Sequence, residues 1–209
     1  MSRLFVVGIG PGDLKHMTCE AREAIESSDV VVGYSTYLKL IEPLLNGKEV
    51  FSSGMTKEVE RCREAIRLAA EGRTVAIVSS GDAGVYGMAG LVLELMPNSD
   101  IEIIMISGVS AVQAAASVLG APLMHDFAVI SLSDLLTPWE AIEKRLDSAA
   151  AADFVIALYN PRSKGRAGHM ERARDILLVS RSPRTPVGIV RNACRSGEEK
   201  IVTTLADIP

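Results

Sequence analysis

Short apolar runs rich in valine and isoleucine alternate along this chain with longer stretches whose apolar residues recur every three or four positions. The runs at 4–10, 30–34, 49–53, 74–80 and 101–107 have the length and β-branched content of buried strands. Between and after them, 18–28, 37–45, 56–71, 87–96 and 110–119 carry helical spacing. The stretch 56–71 is the clearest: Val59, Cys62, Ile66 and Ala69 or Ala70 share a face, and glutamate, arginine and lysine are expected to cover the other. Strand–helix alternation of this kind predicts a parallel sheet with helices on both faces.

Gly120-Ala121-Pro122 ends the helical stretch before it and is expected to act as a hinge. Beyond it the pattern predicts a strand at 127–133, a helix at 138–151, a strand at 154–159, a helix at 169–179, a strand at 187–191 and a last run at 200–205. The reading is α/β in two lobes, 1–120 and 121–209, with a cleft expected between them.

Composition narrows the class. The chain has 209 residues, 48% hydrophobic and 23% charged, with a net charge of −4. That is too apolar and too weakly charged for a disordered chain, and no run approaches the ~18 apolar residues of a membrane span. Residues 4–7 lead straight into Gly8, which suits a first strand and not a secretory signal. Cys19, Cys62 and Cys194 are odd in number and far apart, so no disulfide framework or metal site is expected, and a cytoplasmic, reducing setting follows. The charge is uneven: 161–200 holds ten Lys and Arg against four Asp and Glu, and the remainder holds 12 against 22. A basic segment on an acidic chain suggests a site for an anionic ligand, with a solvated helix face around Arg172, Arg174 and Arg181 as the alternative.

Gly8-Ile9-Gly10-Pro11-Gly12-Asp13 follows the first strand, but it is not a dinucleotide loop. Asp13 stands where a third Gly or Ala is needed, Pro11 removes an amide from the turn, and the second strand ends in Gly33-Tyr34 without an acid for a ribose. No phosphate-binding G-x-x-x-x-G-K-[ST] occurs either. NAD and ATP are therefore not expected. Two further glycine-bearing loops, 79–87 and 107–111, close the fourth and fifth strands. Ligands of open α/β sheets sit beyond the carboxyl ends of the strands, so three such loops on one edge favour a small-molecule site.

The residues at 8–13 (GIGPGD), 81–90 (GDAGVYGMAG), 107–111 (SGVSA), 158–163 (LYNPRS) and 186–195 (PVGIVRNACR) resemble those of the tetrapyrrole methylases, over essentially the whole chain. GYSTY at 33–37 and HDFAVISLSDLLTPWE at 125–140 are similar to the branch that methylates C17 of precorrin-3B with ring contraction in cobalamin biosynthesis. Gly81-Asp82-Ala83 replaces the GDP of other branches, and Ser107-Gly108-Val109-Ser110 replaces PGIT. The resemblance implies an N-terminal parallel sheet with flanking helices, a smaller C-terminal mixed sheet that completes the cofactor pocket, and a homodimer. It also implies a closing strand after 203–205, which a chain ending at Pro209 is expected to lack. Carried over by residue, it sets S-adenosylmethionine against Pro11, Ser80, Gly81, Asp82, Val85, Ser110, Ala111, Asn160 and Ala193, mostly through backbone, with no metal.

The ring contraction that the resemblance pairs with C17 methylation calls for proton movements, for which Asp13, Thr36, Tyr37, His125 and Asp134 are the candidates, each with a cap or turn role as its alternative. Asp134 and Thr137, for example, could cap the helix from Pro138. Tyr34 suits the rim of a pocket for a flat macrocycle. Arg162, Lys164, Arg166, Arg191 and Arg195 match its acetate and propionate groups, since guanidinium grips carboxylate as a fork. The alternatives within the fold are another tetrapyrrole carbon, rRNA or a protein as acceptor, or a non-catalytic domain that binds cofactor or tetrapyrrole. Acidic total charge counts against nucleic acid, and no membrane partner is expected.

Overall fold

A computed structural model describes residues 2–96, 100–161 and 168–208. The chain divides into two compact units: the part up to Ala114 together with Asn192–Glu198, and Ala115–Arg191 together with the part from Glu199.

In the first unit the order is β1 (Arg3–Gly8), α1 (Cys19–Glu26), β2 (Val30–Tyr34), α2 (Ser35–Leu40), β3 (Glu49–Ser53), α3 (Glu58–Ala70), β4 (Thr74–Ser79), α4 (Ala89–Leu95) and β5 (Glu102–Ile106). The start of α5 (Ala111–Leu119) follows. The strands form one parallel sheet in the order β3-β2-β4-β1-β5. Alternate side chains leave opposite faces of a strand. Leu4, Val6 and Val32 thus join Cys62, Ala65 and Ile66 of α3, while Phe5, Val7 and Val31 join Ala21 and Ile25 of α1. Burial on both faces is why these strands read as unbroken apolar runs. From β1 the chain runs toward β2 on one side, and from β4 it runs to β5 on the other. Adjacent strands whose connections leave in opposite directions, here each passing the other strand, make a switch point, the usual place for a ligand crevice.

Two local expectations change. The helix predicted at 37–45 is α2 followed by a separate 3₁₀ turn, Glu42–Leu44, because Pro43 offers no amide to continue the ladder. On α3 the buried stripe centres on Ala65 and Ala69, so Val59 lies at its margin, 42% exposed, and Arg61 falls inside it, 4% exposed. Arg61 is tolerated there because its fork is occupied. Nη1 donates to Ser53 Oγ and Gly54 O, each at 2.8 Å, Nη2 donates to Glu58 at 3.2 Å, and the guanidinium lies 5.9 Å from the Tyr34 ring centroid.

The second unit holds the rest of α5, then β6 (Phe127–Ser131), α6 (Trp139–Ala151), β7 (Val155–Tyr159), α7 (His169–Ser180), β8 (Pro186–Arg191) and β9 (Glu199–Thr204). Both strand directions are present, as a parallel pair β6–β7 and an antiparallel pair β8–β9, and they form two small sheets. Ile130, Leu132, Trp139, Ile142, Leu146, Ala173, Leu177 and Leu205 make its core. Helix α5 packs on β8 so closely that a β-carbon at Gly188 would lie 2.3 Å from Leu119 Cδ1. Among the described residues no helix is long and apolar enough to cross a membrane.

Burial inside α3 pushes the Cys62 thiol up to about 11, against a smaller opposing pull from Arg61. Cys194 is also raised, first by burial and then by the Glu198 and Asp13 carboxylates, while Cys19 is exposed. The thiolate is the nucleophile, so iodoacetamide at pH 8 should alkylate Cys19 first and leave Cys62 unmodified until the chain unfolds. Peptide mass mapping over time checks this order; early loss of Cys62 would contradict its placement.

Candidate functional site

The carboxyl ends of β1, β4 and β5 meet backbone against backbone. A β-carbon at Gly108 would stand 2.3 Å from Gly81 O and 2.5 Å from Gly8 O, and one at Gly8 would stand 2.7 Å from Gly81 O. Ile9 N donates to Ser79 O at 2.9 Å, and Gly10 and Gly81 exchange both backbone hydrogen bonds at 3.0 and 2.8 Å. This bridge spans β1 and β4 at the switch point. Gly10 and Gly81 take φ of +75° and +72°, which lets both loops turn over the sheet edge. Asp82 braces the assembly: one carboxylate oxygen accepts from Gly84 N at 2.8 Å and the other from Gly108 N at 2.9 Å.

Eight of the nine residues assigned to the cofactor belong to this unit, all but Asn160. Pro11 and Gly81 are buried, as is Ser110, whose hydroxyl bonds Gln113 at the start of α5. Ala111 and Val85 are exposed. The crevice edge is therefore made of Pro, Gly, Ala and Ser, and the β-carbon direction at Gly81 meets nothing nearer than Ser110 Cα and Ala111 N at 3.7 Å. Small side chains at this edge fit a nucleoside-bearing cofactor that is held through main-chain groups. The turn that carries Ala193 reaches the same place through Arg195, which donates from Nε to Pro11 O and from Nη2 to Ser80 Oγ at 2.6 Å. Gly12, Asp13, His16, Leu40, Cys194, Arg195 and Ser196 line a cavity of about 460 Å³ beside these contacts. A larger groove, about 670 Å³, runs along the outer side of α3 past Val59, Arg63 and Arg67.

The remaining candidates in this unit are placed as follows. Tyr34 ends β2, and its ring meets Tyr37 edge-on with centroids 5.1 Å apart. Thr36 is exposed on α2. Asp13 faces solvent and accepts from Lys15 N at 3.0 Å, the turn role that was its alternative.

In the second unit, Asn160 follows β7 with φ +53°, and its amide donates to Ser131 Oγ at 3.0 Å. His125 is exposed. The capping role considered for Asp134 and Thr137 is corrected: the cap position of α6 is Pro138, and no side chain bonds there. Asp134 instead lies 3.5 Å from His169 Nε2, whose other ring nitrogen is 3.0 Å from Leu132 O. Leu135 and Leu136, next to Asp134, stand out in solvent. Arg191 is exposed on β8 and pairs with Glu199 at 3.8 Å. Arg162, Lys164 and Arg166 lie outside the described residues.

Sequence reasoning missed Gly8 and Gly108 as the close-approach positions, although both sit at strand ends inside the glycine motifs. It also missed Arg61, for which periodicity carried no signal.

The family profile of the Tetrapyrrole (Corrin/Porphyrin) Methylases matches residues 3–209. The chain is 57% identical over 207 residues to a Salmonella typhimurium protein named "Probable cobalt-factor III C(17)-methyltransferase", covering 98% of this chain and 86% of that protein. It is 52% identical over 212 residues to the "Cobalt-factor III methyltransferase" of Priestia megaterium, covering 99% of this chain but 39% of that longer protein. The crystal structure of the methyltransferase CobJ superposes with a TM-score of 0.94 at 38% identity, over 100% of this chain and 89% of that one.

The two kinds of glycine should respond differently to a methyl group. Gly81→Ala places an L-residue at φ +72° in otherwise open space and should cost about 1–2 kcal/mol. Gly108→Ala drives a carbon into two backbone oxygens and should cost more, at or above the ~3 kcal/mol upper end of ordinary overpacking. Urea denaturation of both variants tests the order; equal stabilities would contradict the packing described.

Proposed function

We infer the function from family membership: the chain belongs to the Tetrapyrrole (Corrin/Porphyrin) Methylases. It is a methyltransferase of cobalamin biosynthesis that acts at C17 of a corrin precursor. The observation that carries this reading is the 57% identity to a relative named for that reaction. The names of both relatives support cobalt-factor III, the cobalt-bearing form, as the substrate in preference to precorrin-3B, with the metal belonging to the substrate. The proposal includes a homodimer in the cytoplasm, with the tetrapyrrole as partner and neither nucleic acid nor membrane.

S-adenosylmethionine, when bound, supplies an electrophilic methyl group. The chain's own task is to hold the attacking carbon in line with that group and to keep both from drifting. Pro11, Ser80, Gly81, Asp82, Val85, Ser110, Ala111, Asn160 and Ala193 would hold the cofactor, largely through backbone. Asp82 would act there as a brace, since both its oxygens are already engaged by amides. Tyr34 would border the macrocycle, and Tyr37 supports its ring from the edge. A general acid or base for ring contraction is drawn from Asp13, Thr36, Tyr37, His125 and Asp134, and Arg162, Lys164, Arg166 and Arg191 would meet the peripheral carboxylates.

S-adenosylhomocysteine should bind one per chain by calorimetry and raise the melting temperature, because it binds only the folded state. NAD and ATP should do neither. Incubation with S-adenosylmethionine and a cobalt corrinoid precursor should add the mass of one methyl-for-hydrogen exchange to the product. Tight NAD binding without a response to S-adenosylhomocysteine would overturn the reading.

Arg191→Gln and Arg166→Gln should raise KM severalfold with little effect on kcat, since groups remote from the reacting carbon bind substrate and transition state about equally. The salt dependence of KM should weaken with the lost charge. Initial rates at two ionic strengths test this. Unchanged KM and salt response would return the basic segment to plain surface.

A further inference from the structure

We propose that Arg195 is a positioning residue for the cofactor, clasping the turn at Asn192–Glu198 onto the loops after β1 and β4 so that all three close on one ligand. The inference rests on the cofactor reading above and assigns Arg195 to that ligand instead of to the carboxylates of the tetrapyrrole.

The turn between β8 and β9 is compact with the first unit, apart from the strands that carry it. It is braced from within. Arg195 N donates to Asn192 O at 2.9 Å, Glu198 N to Arg195 O at 3.2 Å, and Cys194 N to the Glu198 carboxylate at 2.7 Å. Asn192, Cys194 and Gly197 all adopt positive φ, at +53°, +60° and +74°. Non-glycine residues held there cost free energy, and such strain persists where the surroundings over-determine it. The guanidinium is what the turn presents to the sheet edge. Its Nε donates to Pro11 O and its Nη2 to Ser80 Oγ at 2.6 Å, which joins it to residues 184 and 115 positions away in sequence. Gly12 leaves it room, since a β-carbon there would lie 2.3 Å from Arg195 Cγ. Among the described residues no carboxylate lies within ion-pair distance of Arg195, so neutral acceptors on two loops define its seat. Both acceptors flank the Gly10–Gly81 bridge at the switch point. An arginine that served substrate carboxylates would need its fork free. Here two of its nitrogens are already committed to holding the loops.

Calorimetry with S-adenosylhomocysteine on the full chain tests the assignment, using wild type, Arg195→Met, Arg195→Lys, Ser80→Ala and the Arg195→Met/Ser80→Ala double variant. Arg195→Met should weaken binding tenfold or more, and Arg195→Lys should fall between it and wild type. Ser80→Ala should lose a few-fold, and the double variant should be no weaker than Arg195→Met, because Arg195→Met already removes the contact to Ser80. KM for the corrinoid at saturating S-adenosylmethionine should stay within twofold. Alkylation of Cys194 should quicken in Arg195→Met and slow in wild type when S-adenosylhomocysteine is added. Should Arg195→Met fail to fold, Arg195→Lys and Ser80→Ala carry the test. Wild-type binding that Arg195→Met or Ser80→Ala retains within twofold overturns the proposal, as does a rise in corrinoid KM alone. A wild type that does not bind at all removes the cofactor reading, and this one with it.

Discussion

Gly8, Gly81 and Gly108 touch through their backbones at the carboxyl edge of the first sheet, with no room for a β-carbon at Gly8 or Gly108. The rest of the site depends on that contact. It brings the ends of β1, β4 and β5 close enough for Gly10 and Gly81 to bridge, and for one carboxylate, Asp82, to reach an amide on each of two loops. Backbone therefore meets backbone at the switch point, where a side chain at Gly8 or Gly108 would collide with the neighbouring loop.

A second constraint is conformational. Several non-glycine residues with positive φ sit directly after strands or in the loops that follow them: Tyr86 after β4, Asn160 after β7, and Asn192 and Cys194 after β8. Asparagine tolerates this region well, while tyrosine and cysteine do so at a cost. Hydrogen bonds offset part of it: Asn160 is tied to Ser131, and Asn192 to Gly197. Concentrating strained residues at strand ends matches a scaffold whose regular elements are rigid and whose ligand contacts come from the loops.

Arginines divide between two fates. Arg67 and Arg191 remain in exposed ion pairs of the kind that contribute little to stability. Arg61, buried, and Arg195, half-buried, instead spread their forks over neutral oxygens, Arg61 beside Tyr34 and Arg195 against Pro11 and Ser80. The planar guanidinium suits this role because several donors on one rigid group can fix two segments at once.

The periodicity of the chain by itself determined the order of its strands and main helices. Strands buried on both faces write continuous valine–isoleucine runs, and the predicted strands at 30–34 and 74–80 fall on β2 and β4. The glycine motifs located the ligand edge, because tight turns after parallel strands need the conformations that glycine allows. Tertiary structure alone decided the rest. The face of α3 could not be read in advance, since Arg61 is buried by partners on β3 and its loop that helical spacing does not encode. The seat of Arg195 was equally hidden, because its acceptors lie far away in sequence and meet it only when the turn after β8 packs against the first sheet's edge. Local pattern records which side chains prefer water. It does not record which distant oxygen waits for an arginine once the chain has folded.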